Sequence, residues 1–146
     1  MEELEIYKII VNDKRFEEEK NAMQHGNYTV YDHSINVARK CYNLVKKLKI
    51  KVDINSLVKG ALLHDYFLYD WHKKESYHRI HGIRHPKFAR DNAKRDFGLT
   101  KKEENMILSH MFPLRLNIPR YKESIILCLV DKYCAITETL IKKKEE

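Results

Sequence analysis

Scarce glycine and proline constrain the fold of this chain more than any other feature of its sequence. The 146 residues contain four glycines and three prolines, and the hairpin dipeptides Asn-Gly and Asp-Gly are absent, so signals for strands and tight turns are weak. Apolar residues instead recur at intervals of three and four residues, which is the spacing of amphipathic helices. The length suits a single hydrophobic core. We therefore predict an all-α helical bundle that forms one domain over residues 1–146.

Capping residues and apolar spacing divide this domain into helices. We predict an N-terminal helical segment over 1–25 and further helices over 30–48, 53–65, 86–98, 100–110 and 122–142. Pro86 suits the first turn of its helix, and residues 66–85 are predicted to form a long loop or short helical turns. Residues 125–130 are apolar on all sides, which predicts a central position for the last helix. The second helix has an apolar stripe formed by Val37, Cys41, Leu44 and Leu48.

Composition and charge exclude several classes of protein. No apolar run approaches the roughly 20 residues of a membrane span, and the acidic N-terminus lacks a signal-peptide core. The net charge of +7 is compatible with an anionic partner, but many of the lysines fall on ordinary helix faces. Cys128 and Cys134 lie among apolar residues and are expected to be buried thiols in a reducing compartment. We predict a cytoplasmic protein without a membrane partner.

Ionisable residues interrupt three of the predicted apolar helix faces. The stripe of the second helix extends back to His33, the pair His64-Asp65 follows Ala-Leu-Leu, and Asp131 follows Ile-Ile-Leu-Cys-Leu-Val. A buried carboxylate is costly unless it is paired or binds a metal. Each residue alone has an ordinary structural explanation, such as an ion pair of Asp131 with Lys132 or Arg39. A divalent cation held by imidazole and carboxylate groups would compensate all of them together.

The order His, His-Asp, Asp resembles the signature of the HD superfamily of metal-dependent phosphohydrolases. The matching segments begin at His33 (His-Ser-Ile-Asn-Val-Ala), at Ala61 (Ala-Leu-Leu-His-Asp-Tyr) and at Leu129 (Leu-Val-Asp-Lys-Tyr). The flanking residues agree with the family pattern as well as the ligands do. The resemblance covers about residues 28–140 and implies a helical HD domain with its metal site between the central helices.

The resemblance also implies a set of ligands. With further histidines at His85 and His110, the chain resembles the binuclear branch of HD enzymes. This resemblance implies that Asp65 would bridge two metals. The catalytic residues would be His64 and Asp65. The implied metal ligands are His33, His64, Asp65, His85, His110 and Asp131. Mixed nitrogen and oxygen ligands without thiolate suit one or two ions of Fe, Mn, Co, Ni or Zn, and the metal would activate a water molecule for attack on phosphorus.

The substrate is less defined than the metal site. The chain is similar to small YqeK-like dinucleoside-tetraphosphate hydrolases, which share the His-Asp-Tyr sequence, but Leu68 stands where those enzymes have a phosphate-binding lysine. Candidate substrate-binding residues in the neighbouring segment are His81, Lys73 and Arg84. We expect a small-molecule phosphate ester, phosphoanhydride or nucleotide as the partner.

Two alternatives to an enzyme stay open at this point. A non-catalytic, metal-dependent nucleotide sensor would use the same site without turnover, and the leucine at position 68 is compatible with it. A nucleic-acid-binding module has weaker support, because the sequence contains no recognised nucleic-acid-binding motif. The apolar N-terminal segment leaves a homodimer open as well.

Overall fold

The computed structural model describes residues 1–25, 27–66 and 74–145, and it describes side chains within 1–24, 27–66 and 86–141. The fold is all-α, as predicted, apart from one small two-stranded sheet. The helices are α1 (Glu5–Val11), α2 (Lys14–Glu17), α3 (Val30–Lys47), α4 (Ile54–Leu63), α5 (Lys74–Phe97), α6 (Lys101–Ser109) and α7 (Lys122–Glu145). A 3-10 helix, Glu18–Asn21, precedes the strands β1 (Met23–His25) and β2 (Tyr28–Thr29).

Helix α4 lies at the centre of the bundle and contacts α1, α3, α5, α6 and α7. Seven of its ten residues are buried, including Leu57, Ala61 and Leu62. Gly60 permits α6 to approach closely, because a Cβ atom at this position would lie 2.5 Å from Met106 Cε. Helices α4 and α6 therefore pack closely against each other at this point, and their C-terminal ends lie side by side.

Side-chain caps begin three of the helices where the sequence predicts a start. Thr29 and Asp32 form a capping box at α3, and Thr100 and Glu103 form another at α6. The Asp53 carboxylate accepts a hydrogen bond from the Ser56 backbone N–H at the start of α4. Each cap satisfies backbone donors that a helix start leaves without intrahelical partners.

The N-terminal segment, predicted to be helical over 1–25, consists of two short α-helices and a 3-10 helix and ends in a strand. Helix α1 ends at Val11, and Asp13 begins α2 by accepting a hydrogen bond from the Arg15 backbone N–H. The chain then passes through the 3-10 helix into the antiparallel pair β1 and β2. The Ala22 carbonyl accepts a 2.8 Å hydrogen bond from the Val30 N–H, which holds this segment against the start of α3. Asp13 competes for backbone donors and therefore breaks the helix despite the apolar spacing.

Helix α5 begins at Lys74 and contains Pro86 in its interior, so the predicted start at Pro86 is wrong. A proline removes one backbone hydrogen bond from a helix, and here the helix continues through it. The prediction for residues 125–130 is also wrong in part, because Ile125 is 47% and Leu129 64% exposed. None of the described helices is both long and apolar enough to cross a membrane.

The buried stripe of α3 also departs from the predicted one. It continues from Val37 and Cys41 to Val45, whereas Leu44 and Leu48 are exposed. Residues four apart in a helix are slightly more than one 3.6-residue turn apart, so a stripe of such residues drifts slowly around the helix. Val45, four residues after Cys41, stays on the inner face, whereas Leu44 does not. His33, four residues before Val37, is fully buried, which agrees with the inward direction of the stripe.

Candidate metal centre

His64 and His110 occupy equivalent positions at the ends of two neighbouring helices. His64 directly follows α4 and His110 directly follows α6. The His64 Nδ1 donates to the Ala61 carbonyl at 2.7 Å, and the His110 Nδ1 donates to the Ile107 carbonyl at 2.6 Å. Because a carbonyl oxygen only accepts, Nδ1 carries the hydrogen in both rings. In both rings Nε2 therefore faces the centre of the bundle.

His33 reaches the same point from the first turns of α3. Its Nδ1 donates to Glu138 Oε2 at 2.7 Å, and its Nε2 lies 3.0 Å from Asp131 Oδ1. Glu138 is buried and also accepts a 2.7 Å hydrogen bond from Asn36 Nδ2. A carboxylate behind a metal-ligating histidine fixes the orientation of the ring and raises its basicity.

Two carboxylates lie between the three imidazole rings. Asp65 Oδ1 is 3.3 Å from His110 Nε2, and Asp65 Oδ2 is 3.4 Å from His64 Nε2. Asp131 Oδ1 is 3.3 Å from His64 Nε2. The side chain of Gln24, on β1, donates a 2.6 Å hydrogen bond to Asp65 Oδ2. The N-terminal hairpin therefore contacts the centre directly.

The short distances between ring nitrogens and carboxylates alter the acid–base behaviour of the centre. Burial alone would lower the pKa of His33, but its hydrogen bonds to Asp131 and Glu138 raise it to about 9. Burial likewise opposes the charged form of His64, yet Asp65 and Asp131 raise its pKa well above the usual value. Burial would raise the pKa of Asp131, and the histidines His33 and His64 outweigh it and lower that pKa strongly. In the metal-free centre the surrounding carboxylates thus favour the protonated forms of His33 and His64.

The donor set fits a divalent transition metal. Two groups of possible ligand atoms lie within 4.8 Å of one another, one formed by His33, His64 and Asp131 and the other by His64, Asp65 and His110. The His64 Nε2 atom is buried and makes no hydrogen bond to the residues that the structure describes. A lone pair that faces a carboxylate needs a proton or a cation between them. Imidazole with carboxylate is a common ligand combination for such cations.

The structure brings together five of the six metal ligands that the sequence predicts, namely His33, His64, Asp65, His110 and Asp131. The side chains of His81, Arg84 and His85 and the whole of Lys73 lie outside the described residues. The ion pairs considered for Asp131 do not form. Arg39 contacts Glu2, and the Lys132 ammonium donates to the His110 carbonyl at 2.9 Å.

Three polar residues near the centre are absent from the sequence prediction: Glu19, Gln24 and Glu138. A signal for Glu138 exists, because it follows Asp131 by seven residues, which is two turns along the same helix face. Gln24 and Glu19 belong to a segment that folds back onto the centre, and nothing in the local sequence specifies that return. Tyr66, which follows the pair His64-Asp65, packs against Phe16 and Phe97 and donates to Asp96.

Comparison with known protein families agrees with this geometry. The family model described as HD domain matches residues 30–136, a range that contains the five assembled ligand-type residues. The chain therefore belongs to the HD domain family, which supports a metal-dependent hydrolase in general. No curated protein and no solved structure matches the chain. Glu19, Gln24 and Glu138 lie outside the matched range.

Proposed function

We propose that this protein is a metal-dependent phosphohydrolase that acts on a nucleotide or another phosphate ester or anhydride. One observation carries the proposal: the Nε2 atoms of His33, His64 and His110 converge on Asp65 and Asp131 in a buried centre. A divalent cation bound there would lower the pKa of water and offset negative charge on a phosphoryl group.

The protein side chains would divide the remaining work. His33, His64 and His110 would hold the cations through Nε2, with Nδ1 fixed by Glu138 or by a backbone carbonyl. Asp65 belongs to the group of His64 and His110 and also faces the other group, because its Oδ2 lies 3.8 Å from His33 Nε2 while its Oδ1 lies 3.3 Å from His110 Nε2. We assign to Asp65 the role of joining the two cation sites and of accepting the proton from the attacking water.

The substrate class rests on sequence rather than on the described site. Similarity to YqeK-like dinucleoside-tetraphosphate hydrolases favours a nucleotide phosphoanhydride, and the net charge of +7 favours an anionic substrate. The segment with Leu68, Lys73, His81 and Arg84 adjoins the ligand pair His64-Asp65 in the sequence. We propose that this segment contributes substrate contacts.

A hydrolysis assay on metal-stripped and Mn²⁺-reconstituted protein tests the proposal. The substrates should include p-nitrophenyl phosphate, its bis ester, nucleoside mono- and triphosphates and diadenosine tetraphosphate. Turnover of at least one of them should depend on added Mn²⁺. The Asp65→Asn variant should lose about 10²–10⁴-fold in rate, since it lacks the proton acceptor. Asp91→Asn, which removes an exposed carboxylate from α5, is the matched control and should keep its activity.

Two results would contradict the proposal in different ways. Full activity in Asp65→Asn would exclude the assigned centre. Stoichiometric, metal-dependent nucleotide binding without any product would favour the sensor over the enzyme.

A further inference from the structure

Helix α7 carries a second apolar face on the side turned away from the core. Its inner face is buried and includes Leu127 and Cys134. Four large apolar residues on the outer face are 53–64% exposed, and we call them the outer stripe: Leu129, Tyr133, Ile136 and Leu140. The exposed Leu44 of α3 extends this apolar surface, because it lines one groove together with Leu129 and Tyr133.

The outer stripe has the spacing of a seam between two helices. Its members follow one another at intervals of four, three and four residues, which are the alternating steps of a heptad repeat. Such a repeat aligns apolar side chains along one side of a helix, where a second helix packs against them. More than half of each of these residues is exposed, so nothing in the described part of the chain covers the seam.

The apolar area of this surface is large for a monomer. At about 200 Å² for a fully exposed large apolar residue, the outer stripe and Leu44 leave roughly 550 Å² in water. The largest apolar patch on a typical monomer is about 300–600 Å² and often marks an interaction site. A standard interface buries about 800 Å² per partner, of which about 65% is apolar in homodimers. The surface therefore supplies the apolar area that one partner of a standard homodimer contributes.

The charges of α7 favour a second outer stripe as the occupant. Three acidic residues of the helix are buried, namely Glu123, Asp131 and Glu138. Lys132 is the one basic residue between positions 122 and 142, and its ammonium donates to the His110 carbonyl at 2.9 Å. The exposed Lys47 lines the neighbouring groove, and charged residues at the rim of an interface stay in water. A charged partner would find no matching charge within the stripe, whereas a second stripe meets no repulsion there.

We propose that two copies of the chain associate through their outer stripes, with the two α7 helices antiparallel across a two-fold axis. Such an axis lets the same patch serve both partners. The antiparallel direction separates the three consecutive lysines at 142–144 of the two copies, which parallel helices would place side by side at a Coulombic cost. The proposal does not depend on the proposed function, because the buried Asp131 lies on the other face of α7.

Sedimentation velocity of the tag-free protein from about 1 to 100 μM tests the association. The stripe variants are Leu129→Glu and Ile136→Glu, which change exposed positions and leave the core intact. Leu116→Glu is the matched control, because Leu116 is 88% exposed in the connection between α6 and α7. Thermal unfolding followed by circular dichroism verifies that all three variants are folded.

The wild type should sediment at twice the 17.6 kDa of one chain. Each stripe variant should weaken association at least about 100-fold, since every dimer would then bury two unpaired carboxylates. Leu116→Glu should associate like the wild type. A wild type that is monomeric at every concentration, or a dimer that both stripe variants retain, would overturn the proposal.

A distance measurement tests the direction of the two helices. Lys122 is exposed at the start of α7, and all three native cysteines are buried. A nitroxide label on Lys122→Cys should therefore report one distance across the dimer by double electron–electron resonance. Antiparallel helices that meet at the middle of the stripe place the two labels about 35–40 Å apart. A distance of about 10 Å, expected for parallel helices, would overturn the antiparallel arrangement.

Discussion

The two sides of the centre are built differently. On the α3–α7 side, both ring nitrogens of His33 have carboxylate partners, Glu138 at 2.7 Å and Asp131 at 3.0 Å, and Asn36 holds Glu138 in turn. On the α4–α6 side, the Nδ1 atoms of His64 and His110 donate to the backbone carbonyls of Ala61 and Ile107. Their Nε2 atoms lie 3.3–3.4 Å from the nearest carboxylate oxygens.

This difference indicates how the centre would be assembled. On the α3–α7 side, hydrogen bonds link His33, Asp131, Glu138 and Asn36 into one network of protein groups. The α4–α6 side contains the buried Nε2 atom of His64, which is not hydrogen-bonded to the described residues. We infer that a cation contributes more to the order of the second side than to that of the first.

The largest expected effect comes from the residue that both sides share. His64 belongs to both groups of ligand atoms, whereas His110 belongs to one. His64→Gln should therefore remove nearly all bound transition metal, and His110→Gln should leave the site of His33 and Asp131 occupied. Plasma mass spectrometry on tag-free proteins measures the difference. Equal metal content in the two variants would show that the two groups are not separate sites.

A smaller effect is expected from the network behind His33. Glu138→Gln removes the charge that orients this ring and should lower metal affinity about 10-fold, with the fold retained. Isothermal titration with Mn²⁺ measures the affinity, and Glu18→Gln, a change at an exposed position, serves as the surface control. Unchanged affinity would mean that the backbone of α3 alone positions His33.

The smallest effect concerns pH and the metal-free protein. The pKa of His33 is raised from 6.5 to about 9 in the folded protein, so its contribution to stability is fully present below about pH 6.5. It is lost as the pH rises through about 9, which lowers the free energy of unfolding by up to about 3 kcal/mol. Urea unfolding with a chelator present measures this. Stability that is constant between pH 6.5 and 9 would contradict the assigned network.

Saturating metal should abolish the loss of stability between about pH 6.5 and 9, because a cation and a proton compete for the same Nε2 atom of His33. The unfolding midpoint of the Mn²⁺-loaded protein should not fall over the same pH interval. The comparison between loaded and stripped protein therefore separates the histidines of the centre from titrating groups elsewhere in the chain.

The sequence predicts the helical class and the starts of α3, α4 and α6, because caps and apolar spacing are local signals. It also places His33, His64, Asp65, His110 and Asp131 as ligand candidates through short family motifs, and the structure brings these side chains together. The roles of these residues in binding and catalysis stay predictions. The same applies to His85, whose side chain lies outside the described residues.

Other features depend on tertiary structure and have weak local signals. Asp13 divides the N-terminal helix, and the short β1–β2 pair returns Gln24 to Asp65 from 41 residues away in the chain. Helix α5 continues through Pro86, although proline locally favours the first turn of a helix. The outward direction of Leu129 follows from where α7 contacts its neighbours, which an apolar run on all sides does not specify.

Metal analysis of the tag-free protein tests the central claim most directly. The protein should be measured as isolated, after chelation, and after reconstitution with Fe, Mn, Co, Ni and Zn in turn. The two overlapping groups of ligand atoms, with Asp65 proposed to join them, predict one to two transition-metal ions per chain, lost on chelation and restored by at least one of these metals. A protein that folds normally but holds no ion under any of these conditions would contradict the metal centre and the hydrolase proposed from it.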